Sequence, residues 1–110
     1  MIMNNLKNKV QLIGHVGQDP EVKLLEDGKK FARFSLATNE QYINAAGEKV
    51  EKTYWHQVVF WNRAAEVVEA HVKKGTKLAV EGKLTTRSWE DEAGMRHYKS
   101  EIVGRELLLL

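Results

Sequence analysis

The sequence predicts an all-β protein: a small five-stranded barrel with one short helix between its third and fourth strands. Three observations predict it. Alternating apolar and polar segments recur between turn signals along the 110 residues. One stretch, after Asn62, switches to helical spacing. The run Thr53-Tyr54-Trp55-His56-Gln57-Val58-Val59-Phe60-Trp61 is dense in the aromatic and β-branched residues that suit a strand.

The length fits one domain, able to bury a core without metal or disulfide. The chain has no cysteine, which excludes a disulfide scaffold, a thiolate zinc site and a cysteine nucleophile, and is consistent with a reducing cytoplasm. A net charge of +2 gives only a weak pull on polyanions, so the placement of the cations matters more than their number. Met1-Ile2-Met3-Asn4-Asn5 lacks the basic-then-apolar pattern of a signal peptide. The closing Leu107-Leu108-Leu109-Leu110 is too short to span a bilayer.

Leu6 to Val16 reads as the first strand, with Val10, Leu12, Gly14 and Val16 on one face. Gly14 and Gly17 mark a bend or a close backbone approach. Pro20 breaks the strand, Glu21 to Leu25 is a short extension, and Asp27-Gly28 signals a hairpin turn. The second strand, Lys30 to Asn39, puts Ala32, Phe34, Leu36 and Thr38 on its apolar face and Phe31, Arg33, Ser35 and Ala37 on the other. Arg33 is either a cation for a ligand or a solvated arginine. Glu40 to Val50 reads as a loop whose Tyr42 and Ile43 either close over a ligand or cover a core edge.

The third strand is the aromatic run. Trp55, Gln57, Val59 and Trp61 share one face, with the two tryptophans about 20 Å apart at roughly 3.3 Å per residue. Tyr54, His56, Val58 and Phe60 share the other. A small domain has one core, so one of these faces is free to be a stacking platform or a subunit contact. Asn62 is the expected N-cap. Ala64, Val67, Val68 and Val72 form the expected buried helix face, Lys73-Lys74 suit its C-terminal dipole, and Gly75 is the expected stop. In the fourth strand Lys83, Thr85, Arg87 and Trp89 alternate onto one face, a set too cationic for a core. Glu90-Asp91-Glu92-Ala93-Gly94 reads as a solvated hairpin tip rather than a metal site. The fifth strand runs from Met95 to Leu110, and its unalternating leucine end is expected to be covered on both sides, with another subunit as a candidate cover.

Three strands, a helix and two strands is the order of the oligonucleotide/oligosaccharide-binding (OB) fold, a Greek-key barrel. The residues go further. Asn8-Lys9-Val10, Gly14-His15-Val16-Gly17-Gln18-Asp19-Pro20-Glu21, Leu36-Ala37-Thr38, Trp55-His56-Gln57-Val58-Val59, Ala65-Glu66-Val67, Lys74-Gly75, Val80-Glu81-Gly82 and Thr86-Arg87-Ser88-Trp89 closely resemble the bacterial replicative single-stranded DNA-binding family over nearly the whole chain. The resemblance implies a homotetramer, a dimer of dimers, whose strands carry single-stranded DNA on a basic, aromatic surface. In that family bases stack on three tryptophans and a phenylalanine. Trp55 and Trp89 match two of the tryptophans, Trp61 stands where phenylalanine is common, and Tyr42 stands where tryptophan is common. Arg87 matches a DNA-contacting arginine, while Thr85 replaces a frequent second one. Arg63 and Lys74 match basic positions at the two ends of the helix.

The expected DNA-binding set is therefore Trp55, Trp61, Trp89, Tyr42, Arg87, Lys83, Arg63, Lys74, Arg33 and Gln57. The expected subunit contact involves His56, which the resemblance places there, with Lys9, Val10 and Leu12 of the first strand. The implied role is protection of single strands in replication, recombination and repair, in the cytoplasm at the nucleoid, without metal or cofactor. Family members usually continue into a flexible linker and an acidic tail that recruits proteins. This chain ends at the barrel, so residues 1–110 read as a single binding domain and tail-mediated partners are not part of the expectation. No nucleophile–base pair, metal-ligand cluster or phosphate-binding glycine loop is present, so an enzyme is not expected. The rival reading is a primosome-type OB domain that binds proteins and has lost much of its stacking set.

Overall fold

The computed structural model describes residues 7–110. The chain forms β1 (Val10–Val16), β2 (Glu21–Leu24), β3 (Lys30–Ile43), β4 (Lys49–Trp61), α1 (Arg63–His71), β5 (Lys77–Glu90) and β6 (Arg96–Leu109). The strands lie in the order β1-β5-β6-β4-β3-β2, and β1 also pairs with β3 through His15–Ala37 and Val16–Leu36. That second pairing closes five strands into a barrel. The sixth, β2, is the short extension read from the sequence, hairpinned onto β3 from Glu21–Arg33 to Leu24–Lys30. The one parallel contact among the described residues, β4 with β6 at Val58–Ile102 and Val59–Val103, completes the circuit.

The core follows the period-two reading. Ala32, Phe34 and Leu36 of β3, Val58 and Phe60 of β4, Leu78 and Val80 of β5, and Ile102 of β6 are buried together with Val16 of β1. The Phe34 and Phe60 rings stack 6.2 Å apart. Gly104 lies against Phe60 so closely that a Cβ there would overlap the ring. Arg105 of β6 is the extra residue of a bulge opposite the Glu81–Gly82 step of β5, and it bends this pair of strands.

Several local expectations are corrected. The start of the first strand at Leu6 lies outside the described residues, and the strand itself begins at Val10. Residues 40–50 are not a loop. β3 continues to Ile43 and β4 starts at Lys49, because the Asn44 side chain closes a tight turn by accepting from the amides of Ala46 and Glu48, both 3.0 Å away. Asn62 precedes the helix but does not cap it with its side chain. Its amide donates to the Lys30 carbonyl at 2.7 Å and its Oδ1 accepts from the Lys30 amide at 3.3 Å, so the residue is committed to β3.

The helix buries Ala65 and Val68, with Val72 just beyond its end, while Val67 is exposed. Its packing against β3 and β4 rotates the buried stripe by about one residue from the expected one. The helix ends at His71, ahead of Lys73 and Lys74. Gly75, at φ 90°, belongs to the next turn, where its amide donates to the Val16 carbonyl. At the leucine end Leu107 packs on the core, and Leu108, Leu109 and Leu110 are exposed on the single chain, as an end covered by another subunit would be.

Candidate nucleic-acid interface

The residues that do not enter the core converge on the outside of β3, β4, β6 and β5. Register fixes this. Phe31 pairs with Trp61, Arg33 with Val59, Ser35 with Gln57 and Ala37 with Trp55. Val59 meets Val103, which pairs with Lys83; Glu101 pairs with Thr85, Lys99 with Arg87 and His97 with Trp89. Cross-strand partners share a face, so three tryptophans, Gln57, Lys83, Arg87 and Arg33 occupy one continuous surface.

The three indoles are open. Trp55 is 60%, Trp89 44% and Trp61 38% exposed, although they are the largest apolar side chains of the protein. Each is held by a different device. Trp61 leans on the buried Phe31, ring centroids 5.6 Å apart. Trp89 stacks on His97 at 5.6 Å, and the Arg87 guanidinium also lies 5.6 Å from its ring. His97 is anchored in turn by Asp91, 2.7 Å away. That contact, with the Met95 and Ala93 amides, holds the Asp91 carboxyl below the usual aspartate range. Trp55 lies across Gly17, where a Cβ would overlap its ring. Gly17→Ala is therefore expected to displace the Trp55 indole, shifting tryptophan emission and weakening single-strand binding. Unchanged emission and affinity would show that the indole has no need of this contact.

The charged groups are less uniform. Arg87 is half exposed, and Lys83 lies exposed on the same face. Arg33 is mostly covered: it sits 4.9 Å above the Phe31 ring and 3.5 Å from Glu101. Gln57 donates to Ser35 at 2.9 Å and is partly buried. Arg63 opens α1 two residues after Trp61, beside one end of the face. Lys74 lies in the turn after the helix, its amide bound to Asp19 at 2.9 Å.

Tyr42 is not brought into this set. It is exposed on the β3–β4 arm, pairs with Val50, and by alternation shares the ribbon face of Tyr54 and His56, opposite Trp55.

The residues expected at a subunit contact lie elsewhere. His56 Nε2 is 2.9 Å from Thr38 Oγ1 on the inner face. Lys9 pairs with Glu81 at 2.9 Å, a hydrogen bond that holds the Glu81 carboxyl below the usual glutamate range. Val10 and Leu12 pack against the core. Next to them, Ile13, Ala79, Leu107 and Leu108 line an open apolar groove.

Sequence reasoning placed Phe31 on the correct face without counting it as part of the site. It marked Gly17 as a bend or close approach without linking it to Trp55, and it did not place His97 or Glu101 in the site. Period-two alternation carries the signal for the last two, through their pairing with Trp89 and Thr85. Gly17 meets Trp55 only in three dimensions, so its partner has no local signal.

A closed five-stranded barrel with one helix, carrying open tryptophans beside arginines on its outer sheet, is an OB fold. The model of the single-strand binding protein family matches residues 7–110, and the chain belongs to that family. It is 48% identical over 98 residues to the single-stranded DNA-binding protein of Rhizobium meliloti (strain 1021), covering 87% of this chain and 56% of that protein. It is 40% identical over 104 residues to single-stranded DNA-binding protein 1 of Chlorobaculum tepidum, covering 94% and 64%. The chain thus spans less than two thirds of the length of these curated relatives. Among solved structures, the Plasmodium falciparum SSB in complex with ssDNA superposes with a TM-score of 0.86 at 35% identity, over 94% of both chains.

Proposed function

We propose that this chain binds single-stranded DNA with little regard to sequence and so protects exposed strands during replication, recombination and repair. The observation that carries the reading is the trio of open tryptophans on one outer face. Every base has a π-face to offer an indole, whereas a duplex hides those faces. Trp55, Trp61 and Trp89 are assigned to base stacking, with Gln57 between the first two. Arg87, Lys83, Arg63 and Lys74 are assigned to phosphates. The role of Arg33 is taken up below. Tyr42, across the ribbon from Trp55, would meet a strand only where it wraps around the β3–β4 arm. The family match and the likeness to an SSB–ssDNA complex support the reading.

Anisotropy of labelled oligonucleotides tests it. Homothymidine and mixed-sequence single strands should bind with similar affinity, and a duplex of the same length far more weakly. Equal affinity for duplex, or a strong preference for one short sequence, would contradict the proposal.

The chain is further proposed to assemble into a tetramer through β1 and the leucine end, with the groove beside Ile13 and Leu108 as the apolar seam. Sedimentation equilibrium at micromolar concentration should show a species near four times 12.6 kDa; a single 12.6 kDa species would contradict the assembly. The chain is read as a binding module that works without metal or cofactor and acts where single strands are exposed, at the nucleoid.

A further inference from the structure

Glu101 is out of place on a surface offered to a polyanion. It stands near the middle of the outer face on β6, and its side chain is only 11% exposed. Arg33 reaches it from β3, across the buried Val59 of β4; Arg87 approaches from β5. Arg33 Nε is 3.5 Å from Glu101 Oε2, and neither atom makes a hydrogen bond. Arg87 Nε is 4.0 Å from Oε1. The two arginines differ in freedom, Arg33 being 21% exposed and Arg87 51%. One line of contacts therefore crosses four strands: Trp61 on Phe31, Phe31 under Arg33, Arg33 to Glu101, Glu101 to Arg87, and Arg87 over Trp89.

A guanidinium this poorly hydrated needs a counter-charge at close range, and Glu101 supplies it. A phosphate that took Arg33 would have to enter beside the carboxylate and leave it unpaired in a poorly solvated place. A base makes no such demand, because the planar guanidinium offers its face as an aromatic ring does. We propose that Glu101 is a positioning residue that neutralises Arg33 and holds it over Phe31, so that Arg33 extends the stacking platform and is withheld from phosphate. Arg87, looser and more open, keeps its phosphate role.

This inference rests on the single-strand-binding reading, and the salt dependence of oligothymidine binding tests both. Each phosphate contact contributes about −0.7 to the log–log slope for a single strand. Four proteins are compared: the parent, Arg33→Met, Glu101→Gln and the double variant. Thermal unfolding checks that each is folded. In the parent background Arg33→Met should leave the slope unchanged. Glu101→Gln should steepen it by about 0.7 for each subunit that engages the strand, as Arg33 is released, and adding Arg33→Met should return it to the parent value.

A flatter slope from Arg33→Met alone would overturn the inference, since Arg33 would then already contact phosphate. So would a Glu101→Gln slope that is unchanged, or one that is steeper whether or not Arg33 is present. If Glu101→Gln folds poorly, the Arg33→Met slope decides by itself: unchanged supports the proposal, flatter by about 0.7 per engaged subunit overturns it. A parent that binds no oligothymidine overturns the functional reading, and this inference with it. A parent that binds with the wrong pattern of slopes overturns this inference alone.

Discussion

Phe60→Ala is expected to remove about 3–5 kcal/mol of folding stability, while the neighbouring Trp61→Ala removes far less. The two side chains are consecutive on β4 and point to opposite faces. Phe60 is fully buried, stacked on Phe34 and covered by Gly104, where a missing Cβ makes room for its ring. Removing that ring leaves a cavity that a closed barrel cannot collapse to fill. Domains of this size hold about 5–15 kcal/mol of net stability, so the loss is a large share of the whole. Urea unfolding at fixed protein concentration measures it: the midpoint should fall sharply while the slope with denaturant stays the same. A loss below about 1 kcal/mol, or a larger loss for Trp61→Ala than for Phe60→Ala, would mean that core and platform have been assigned to the wrong faces.

Trp55→Ala is expected to weaken single-strand binding by about 1–3 kcal/mol, roughly fivefold to more than a hundredfold in Kd. It is the most open of the three indoles, so its stacking area is available before the strand arrives. For the same reason the barrel should unfold at nearly the parent temperature. Trp55 carries no charge, so affinity should drop at every salt concentration with the salt slope unchanged. Arg87→Ala should do the reverse, flattening the slope by somewhat under one unit for each subunit that engages the strand. A Trp55 variant that flattens the slope, beside an Arg87 variant that does not, would reverse the assigned roles. Joint loss of fold and binding in Trp55→Ala would mean that a structural residue had been read as a site.

Alternation made the two faces legible, because a strand puts every second side chain on the same side whatever it pairs with. Phe34, Leu36, Val58 and Phe60 declared the core, and Trp55, Trp61, Arg87 and Trp89 declared the outer face. The helix was legible in place but not in rotation: Val67 and Ala65 are both small and apolar, and only packing against β3 and β4 decides that Ala65 is the buried one. The β3–β4 arm was read as a loop because its residues are polar. A two-stranded ribbon that stands clear of the core leaves even Tyr42, Ile43 and Tyr54 exposed, so no buried face betrays it, yet its ladder runs to Ile43–Lys49. That extra length is what sets Tyr42 across the ribbon from Trp55. Asn62 carried the right chemistry for a cap, but Lys30, 32 residues away in sequence, claimed its side chain. Gly17 under Trp55 and Glu101 between two arginines are long-range contacts of the same kind, whose partners no local pattern names.

Whether the outer face carries the strand is tested most directly by tryptophan fluorescence, with Trp55, Trp61 and Trp89 each retained in turn as the single tryptophan and the other two replaced by phenylalanine. Oligothymidine is added while anisotropy of the labelled strand follows binding in the same solution. Each of the three single-tryptophan proteins should show emission that falls in step with binding and saturates at the same stoichiometry, because each indole receives a base. Binding that proceeds to saturation while all three emissions stay constant would contradict the account and place the strand on another surface of the barrel.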